Sequence, residues 1–274
     1  MIEEFIDKFG GAQYPTYYTV WRAPLVVTTG EGEAVEVTTP APKSYSETNV
    51  QVEGIDEADI VKTDGTYIYL TGNDILEGYL ESKVYIVKAY PPTNISLVST
   101  INLAGHIEGL YIYDDKLIAL TAQHPYWILK VGGDVIPPYP IERAPVTTIY
   151  IYDIQDKEKP TLVKEVNVTG AYVTSRLKGG VLYVITQCMA REDIVEPLVK
   201  SGLWIPRNED YVWPPAFIVT IATLNLDSLE SETSSYVTPP IDKIYMSHDN
   251  LYIVSVKGRD VYRIMFEKGL EIVR

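Results

Sequence analysis

A short hairpin pattern recurs four times along this chain of 274 residues, and it restricts the fold more than any other feature. Each copy has a strand-like run, a tight polar turn and a second run rich in Tyr, Leu, Ile and Val. Aspartate, asparagine and glycine at the turns tolerate the positive φ angles that two-residue hairpins need. The copies span 58–72, 109–122, 172–187 and 243–256, with turns predicted at Asp64-Gly65, Asp114-Asp115, Gly179-Gly180 and Asp249-Asn250.

Two further strand-like runs follow each hairpin, at 83–89 and 96–103, 147–153 and 161–168, 216–226 and 232–238, and 260–266 and 270–273. Four strands per unit is the content of a β-propeller blade. A β-sandwich also has many short strands, but it does not predict the same hairpin at the same place in every unit. We therefore predict an all-β, propeller-type fold of about four four-stranded antiparallel blades.

The predicted blades occupy approximately 44–105, 106–170, 171–240 and 241–274. Residues 1–43 are expected to form an N-terminal arm and a Thr/Pro-rich linker. Tyrosine occurs 22 times, against four Phe and four Trp, and tyrosine mixed with Val and Ile is typical of sheet.

The charge and cysteine content exclude several classes of function. A formal net charge of −14 without a basic run argues against a nucleic-acid partner and against unaided docking on an anionic membrane. The one cysteine, Cys188, allows no internal disulfide and is expected to be a buried apolar filler. No apolar run is long enough for a transmembrane segment, and the first residues lack the pattern of a signal peptide.

An acidic stretch precedes the first hairpin, and two interpretations of it remain open. Its oxygens could bind a hard cation such as Ca²⁺, although the spacing is not that of an EF-hand. Alternatively, Asp56 and Asp59 accept hydrogen bonds from backbone amides and hold the start of the first blade. The candidate metal ligands are Asp56, Glu57, Asp59 and Asp64, beside Glu53, and no other cofactor is predicted.

Two long insertions, at 124–144 and 189–215, interrupt the second and third units between their second and third strands. Equivalent positions predict that both emerge on one face, and a short helix is expected in the second insertion before Pro197. Large aromatic side chains there could bind a partner, or they could fold down and cap strand edges. These residues are Tyr126, Trp127, Tyr139, Trp204, Tyr211 and Trp213.

The stretch SYSETNVQVEGIDEADIVKTDG resembles the opening signature of secreted or envelope-anchored prokaryotic β-propeller proteins, which are distantly related to WD40 repeats. The resemblance implies a propeller and an extracytoplasmic location, but it implies no reaction, because the family has no established chemistry. The signature residues are expected to be structural; they are Asn49, Gln51, Gly54, Asp56, Asp59, Lys62, Asp64 and Gly65.

The match covers the opening of the family's propeller and roughly its first half. We expect an incomplete propeller with an exposed sheet face at the first or last blade, rather than a closed four-bladed ring. A second propeller half or self-association could complete the structure.

The sequence favours a non-enzymatic extracytoplasmic recognition or scaffold module that binds a protein or glycan through the aromatic insertions. The alternative is a hydrolase or lyase that acts on polysaccharide or peptide, with loop carboxylates as acid and base. No catalytic residue can be named, since the common hydrolase, phosphate and zinc motifs do not occur. His248, in the fourth hairpin turn, is expected to be exposed.

Overall fold

The computed structural model describes residues 52–76, 79–123, 130–131, 134–135, 144–204, 216–255, 261–265 and 269–273. These residues form an all-β structure with four main sheets, each built from four antiparallel strands taken in chain order. The predicted N-terminal arm and linker lie outside the described residues.

The first strand, β1 (Asp56–Glu57), adds to the edge of sheet 3, and the remaining strands follow the predicted units. Sheet 1 contains β2 (Val61–Thr63), β3 (Tyr67–Leu76), β4 (Tyr79–Lys88) and β5 (Ser96–Leu103). Sheet 2 contains β6 (His106–Tyr113), β7 (Lys116–Gln123), β10 (Val146–Asp153) and β11 (Thr161–Thr169). Its insertion includes the small pair β8 (Lys130–Val131) and β9 (Asp134–Val135).

Sheet 3 contains β12 (Ala171–Lys178), β13 (Val181–Met189), β14 (Phe217–Asn225) and β15 (Ser231–Thr238), with helix α1 (Glu192–Lys200) between β13 and β14. Sheet 4 contains β16 (Ile241–Met246), β17 (Asn250–Ser255), β18 (Val261–Met265) and β19 (Gly269–Val273). A short 3-10 helix, Pro92–Asn94, connects β4 to β5. The predicted hairpin and the following strand pair are thus confirmed in every unit.

The sheets pack face to face in chain order, so sheets 2 and 3 are covered on both faces. Strand β7 shows the pattern: Leu117 and Ala119 pack in the core with sheet 1, whereas Ile118 and Leu120 pack in the core with sheet 3. Successive side chains of a strand point to opposite faces, so a strand between two sheets is apolar at every position. A two-layered sandwich does not stack four sheets in this way, and the propeller-type fold is confirmed.

Each junction has its own core of buried residues. The core between sheets 1 and 2 includes Tyr69, Val84, Ile86, Leu110, Leu117 and Tyr150. The core between sheets 2 and 3 includes Tyr111, Ile118, Ile149, Leu182, Val184 and Leu224. The core between sheets 3 and 4 includes Ile185, Val219, Tyr236, Met246, Leu251 and Ile253.

The hairpin turns of neighbouring sheets lie at one end of the molecule. The Tyr113 hydroxyl lies 2.6 Å from the position a Cβ would take on Gly180, in the next hairpin turn. The Lys178 ammonium donates to the carbonyl of His248 in the turn after that. The insertions of sheets 2 and 3 begin after Gln123 and Met189, at the opposite ends of the hairpin strands. Both insertions therefore leave from the same end.

Two local predictions were wrong. The fourth turn is centred on His248-Asp249 rather than on Asp249-Asn250, because Ser247 and Asn250 close it. The Ser247 hydroxyl accepts from the Asn250 amide, and the Ser247 amide donates to the Asn250 carbonyl. The insertion helix does not end before Pro197 but continues to Lys200. Pro197 cannot donate to the carbonyl of Asp193, but burial of Ile194 and Val195 against sheet 3 holds the helix together.

Candidate functional site

The acidic signature runs along the edges of sheets 3 and 2 before the chain enters sheet 1. We call residues 52–60 the strap. Its β1 residues pair with Leu177 and Arg176 of β12 in sheet 3. Further along, the Asp59 and Leu110 backbones exchange hydrogen bonds of 3.3 and 2.8 Å at the edge of sheet 2. The strap thus satisfies backbone groups on two edges that would otherwise be open to another strand.

Gly109 allows the strap to approach sheet 2 closely. A Cβ on Gly109 would lie 2.6 Å from the Ala58 Cβ and 3.3 Å from the Asp59 nitrogen. No side chain fits in that space, and glycine permits close backbone approach in a strand. At the other end of the strap, Ile55 is buried with the core residues between sheets 3 and 4.

Two ion pairs lie where the strap meets the sheets. The Lys62 ammonium, which is buried, donates to both Asp56 carboxylate oxygens at 2.8 and 3.0 Å and to the Glu57 carbonyl at 2.7 Å. The Arg176 Nη2 lies 3.2 Å from Glu57 Oε1. Although this distance is that of an ion pair, no described group makes a well-directed hydrogen bond to Glu57 Oε1. These pairs connect the strap to sheets 1 and 3.

A chain of hydroxyls lies beside the ion pairs. Ser175 Oγ is 2.8 Å from the Tyr111 hydroxyl and 2.9 Å from the Tyr172 hydroxyl. Burial raises the pKa of Tyr111 well above its ordinary range. Burial also raises the pKa of Tyr172 to about 12, although its hydrogen bond with Ser175 opposes the shift. The Lys62 ammonium lies 5.5 Å from the centre of the Tyr111 ring. Both phenols are therefore neutral at physiological pH.

Asp64 stabilises the first hairpin turn rather than projecting freely. Its Oδ1 accepts from the amides of Thr66 and Tyr67, and its Oδ2 accepts from the Tyr69 hydroxyl at 2.8 Å. Gly65 has a φ of +90°, which explains the glycine at this point of the signature. Asp59 Oδ1 similarly accepts from the Ile60 amide at 2.7 Å.

The structure brings most of the acidic candidates into one region but spreads their carboxylates over different partners. Asp56 faces Lys62, Glu57 faces Arg176, and Asp64 faces its own turn. Among the residues that the structure describes, no three His, Cys, Asp or Glu side chains are grouped as a metal site would group them. Asn49 and Gln51 lie outside the described residues.

Of the aromatic candidates, Trp204 is the one within the described part of the chain. Its backbone bonds to that of β15, with the Trp204 amide donating to Ser235 and the Val237 amide donating to Trp204. Its ring lies 6.4 Å from the Tyr236 ring, against the core between sheets 3 and 4. Trp204 therefore covers a strand edge. Tyr126, Trp127, Tyr139, Tyr211 and Trp213 lie outside the described residues.

Cys188 is buried beneath helix α1, where burial, and to a smaller degree Asp193, raises the pKa of its thiol to about 12. This agrees with the predicted apolar filler. His248 is exposed, also as predicted. No helix among the described residues is long and apolar enough to cross a membrane.

Sequence reasoning missed Tyr111, Tyr172, Ser175 and Arg176, which complete the region around the strap. Tyr111 and Ser175 are 64 positions apart and belong to different sheets. Their sequence context is that of ordinary strand residues, and no local signal could have paired them.

The fold and the strap define a protein of the β-propeller class. A family model described as "Beta propeller domain" matches residues 45–273, and the chain belongs to this family. An uncharacterised protein of Archaeoglobus fulgidus is 27% identical over 93% of this chain and 40% of its own length. An uncharacterised protein of Methanocaldococcus jannaschii is 27% identical over 90% of this chain and 35% of its own length.

The chain therefore spans well under half the length of these curated relatives. Among solved structures, the alignment with cobalt-substituted Synechocystis ACO covers 82% of this chain and 51% of the ACO chain. The two are 12% identical, with a TM-score of 0.37. A likeness of this degree carries no argument about fold or function.

Proposed function

We propose that this protein is a non-enzymatic recognition or scaffold module that binds a protein or glycan partner at the end of the sheets from which the insertions leave. β-Propeller domains generally mediate protein interactions, and this chain belongs to such a family. The proposal is supported by the position of the two insertions at a common end of sheets 2 and 3. The strand residues that flank them pair with each other, Gln123 with Val146 in sheet 2 and Met189 with Phe217 in sheet 3.

Rigid sheets that present two long connections side by side are a common arrangement for binding, because the scaffold fixes the loops while their sequences provide contacts. The insertion sequences are rich in Tyr and Trp, which bury large areas with little loss of side-chain entropy. Trp204 packs on β15, so the proposed contacts belong to the remaining aromatic residues, above all Trp127 and Trp213.

We also propose that the protein acts outside the cytoplasm, as the signature implies. The acidic surface agrees with a role away from nucleic acids, since the net charge is −14. Fractionation of cells that produce the natural protein tests this. Recovery with the envelope or the medium supports it, whereas recovery with the cytosolic proteins contradicts it.

A double variant, Trp127→Ala with Trp213→Ala, tests the binding proposal against a Leu162→Ala control on the outer strand β11. Each protein is applied to a glycan array and used as bait for envelope and secreted proteins. We expect a partner that the original chain and the control retain and that the double variant loses. Equal retention by all three proteins would contradict the proposal, and a large fall in the melting temperature of the double variant would instead support capping of strand edges.

A further inference from the structure

We infer that Asn94, in the connection between β4 and β5, is a glycosylation site that carries an oligosaccharide, and that the other acceptor triplet of the chain is not used. The sequence Asn94-Ile95-Ser96 is an acceptor triplet, because a serine follows the asparagine by two positions and the middle residue is not proline. Such triplets are used in exported proteins. The inference therefore rests on the extracytoplasmic location proposed above, and it does not depend on what the insertions bind.

The side chain of Asn94 is accessible to a modifying enzyme. Asn94 lies at the end of the short 3-10 helix, and it is exposed, as are Ile95 and Ser96. Its backbone amide donates to the Pro91 carbonyl at 2.9 Å, whereas no described residue forms a hydrogen bond with its side-chain amide. Asn94 and Ile95 also lie outside the ladder between β4 and β5, which begins with the pair of Lys88 and Ser96.

The exposure of this connection does not depend on what lies beside sheet 1. The same connection, between the third and fourth strands, is exposed in sheets 2 and 3, which are covered on both faces. Asp156 and Glu158 are exposed in sheet 2, and Asp227 and Glu230 are exposed in sheet 3. The connection thus lies at the end of each sheet, beyond the packed faces, and Asn94 occupies the corresponding place in sheet 1.

The composition of the connection is a second and independent argument. The equivalent connections of sheets 2 and 3, 154–160 and 226–230, contain four and two charged residues, whereas 89–95 contains none. It exposes apolar and aromatic side chains instead, since Ile95 is 64% exposed and Tyr90 is 38% exposed. A bulky, hydrophilic oligosaccharide on the neighbouring asparagine would cover this surface and keep it soluble, as charged side chains do at the other two connections.

The triplet Asn167-Val168-Thr169 provides an internal contrast. Asn167 is also exposed, but its side-chain amide is engaged at both ends. Its Oδ1 accepts from the Thr148 hydroxyl at 2.8 Å, and its Nδ2 donates to the Glu165 carboxylate at 3.3 Å. All three residues of the triplet belong to β11, where they pair with 146–148 of β10. This triplet would have to leave the sheet to enter an enzyme, so we expect Asn167 to remain unmodified.

The modification exchanges one bond to the first sugar for another. Nδ2 of Asn94 forms a bond to C1 of that sugar, and the bond from C1 to the phosphate oxygen of a polyprenyl phosphate or diphosphate carrier breaks. The phosphate leaves with the electron pair, and Nδ2 loses one proton to a base of the transferring enzyme. The hydroxyl of Ser96 belongs to the motif that this enzyme recognises, so both residues are required.

Mass spectrometry of the protein purified from cells that produce it naturally tests the inference. Trypsin cleaves after Lys and Arg, so peptide 89–116 reports on Asn94 and peptide 165–176 reports on Asn167. We expect the added mass of an oligosaccharide on most copies of the first peptide and none on the second. If protein recovered with the envelope or the medium has no added mass on the first peptide, or equal modification of both, the inference is wrong while the proposed location stands. Recovery with the cytosolic proteins would overturn both.

Three variants made in the same cells distinguish this enzymatic modification from other additions to the chain. Asn94→Gln removes the acceptor and Ser96→Ala removes the motif but keeps the acceptor, so each should abolish the added mass. Asn167→Gln is the matched control and should leave the added mass unchanged. All three positions are exposed, and circular dichroism checks that the variants fold. Added mass that persists in Ser96→Ala or disappears in Asn167→Gln would overturn the inference.

Discussion

At the scale of single residues, the signature combines charge, hydrogen bonding and backbone geometry at defined points. Lys62 brings its ammonium to Asp56 and to the Glu57 carbonyl, and Arg176 approaches the Glu57 side chain. A buried charge is stable only when it is paired and hydrogen-bonded, and here the strap provides those partners. The acidic residues of this segment therefore have a structural role. From their spacing alone, this role could not have been distinguished from that of a cation-binding site.

We expect calcium to leave the thermal stability of the protein unchanged. Both Asp56 oxygens accept from Lys62 and all the bonds of Asp64 go to its own turn, so a cation would have to displace these donors. Melting curves with CaCl₂, with EDTA and with NaCl at matched ionic strength provide the measurement. A calcium concentration tenfold above a dissociation constant would stabilise the fold by about 1.4 kcal/mol and raise the melting temperature by about 3–5 °C; such a rise would contradict this expectation.

The buried phenol of Tyr172 should make the fold sensitive to alkaline pH. Its pKa is raised by burial to about 12, above its ordinary value of 10.0, so the folded chain retains a proton that the unfolded chain loses. The contribution of the neutral Tyr172 phenol to the free energy of unfolding is fully present below pH 10 and is lost as the pH rises towards 12. In urea titrations, Tyr172→Phe should reduce the slope of the unfolding free energy in this interval by about 1.4 kcal/mol per pH unit. An unchanged slope would contradict the assignment.

At the scale of elements, the strap is a connection that joins sheets far apart in sequence. It forms β1 on sheet 3, bridges to sheet 2 at Leu110 and continues into β2 of sheet 1. The alternation of apolar residues identified the hairpins, because each strand must bury side chains on defined faces. Pairing at a strand edge depends on backbone groups that every residue carries, so the partner of β1 could not be inferred from side-chain pattern.

Replacing Gly109 by alanine should detach or strain the strap. The new Cβ would meet Ala58 and the Asp59 backbone, which cannot swing away as a long side chain can. We expect a loss of about 2 kcal/mol of stability and a melting temperature lower by about 4–8 °C. Gly72→Ala is the matched control, because a Cβ there would meet the edge of the Tyr85 ring, which can rotate. Equal losses at both glycines would argue against a special role for Gly109.

At the scale of the whole molecule, stability comes from burial between successive sheets, since sheets 2 and 3 have apolar residues on both faces. The continuous run Leu117–Leu120 is entirely buried for this reason. Among the described residues, Val61 and Leu97 of sheet 1 and Tyr245 of sheet 4 are large exposed apolar or aromatic side chains.

A pair of matched leucine variants measures the junction directly. Leu120 is fully buried between sheets 2 and 3, whereas Leu162 on β11 is half exposed. Leu120→Ala should lower the free energy of unfolding by about 2–5 kcal/mol, because it removes buried methyl groups and leaves a cavity. Leu162→Ala should lower it by less than about 1 kcal/mol. Chemical denaturation provides both values, and similar losses would contradict face-to-face packing of these sheets.

The chain pattern by itself determined the number of strands per unit and the approximate position of each hairpin, because these follow from side-chain alternation and turn chemistry over short distances. It also identified the acidic signature and the aromatic insertions as the unusual segments. Only the tertiary structure decided that β1 joins β12, that Lys62 meets Asp56 and that Tyr111 reaches Ser175. Those contacts join different sheets or cross their edges, and they exist only after the sheets have stacked, since no local preference brings residues 64 positions apart together.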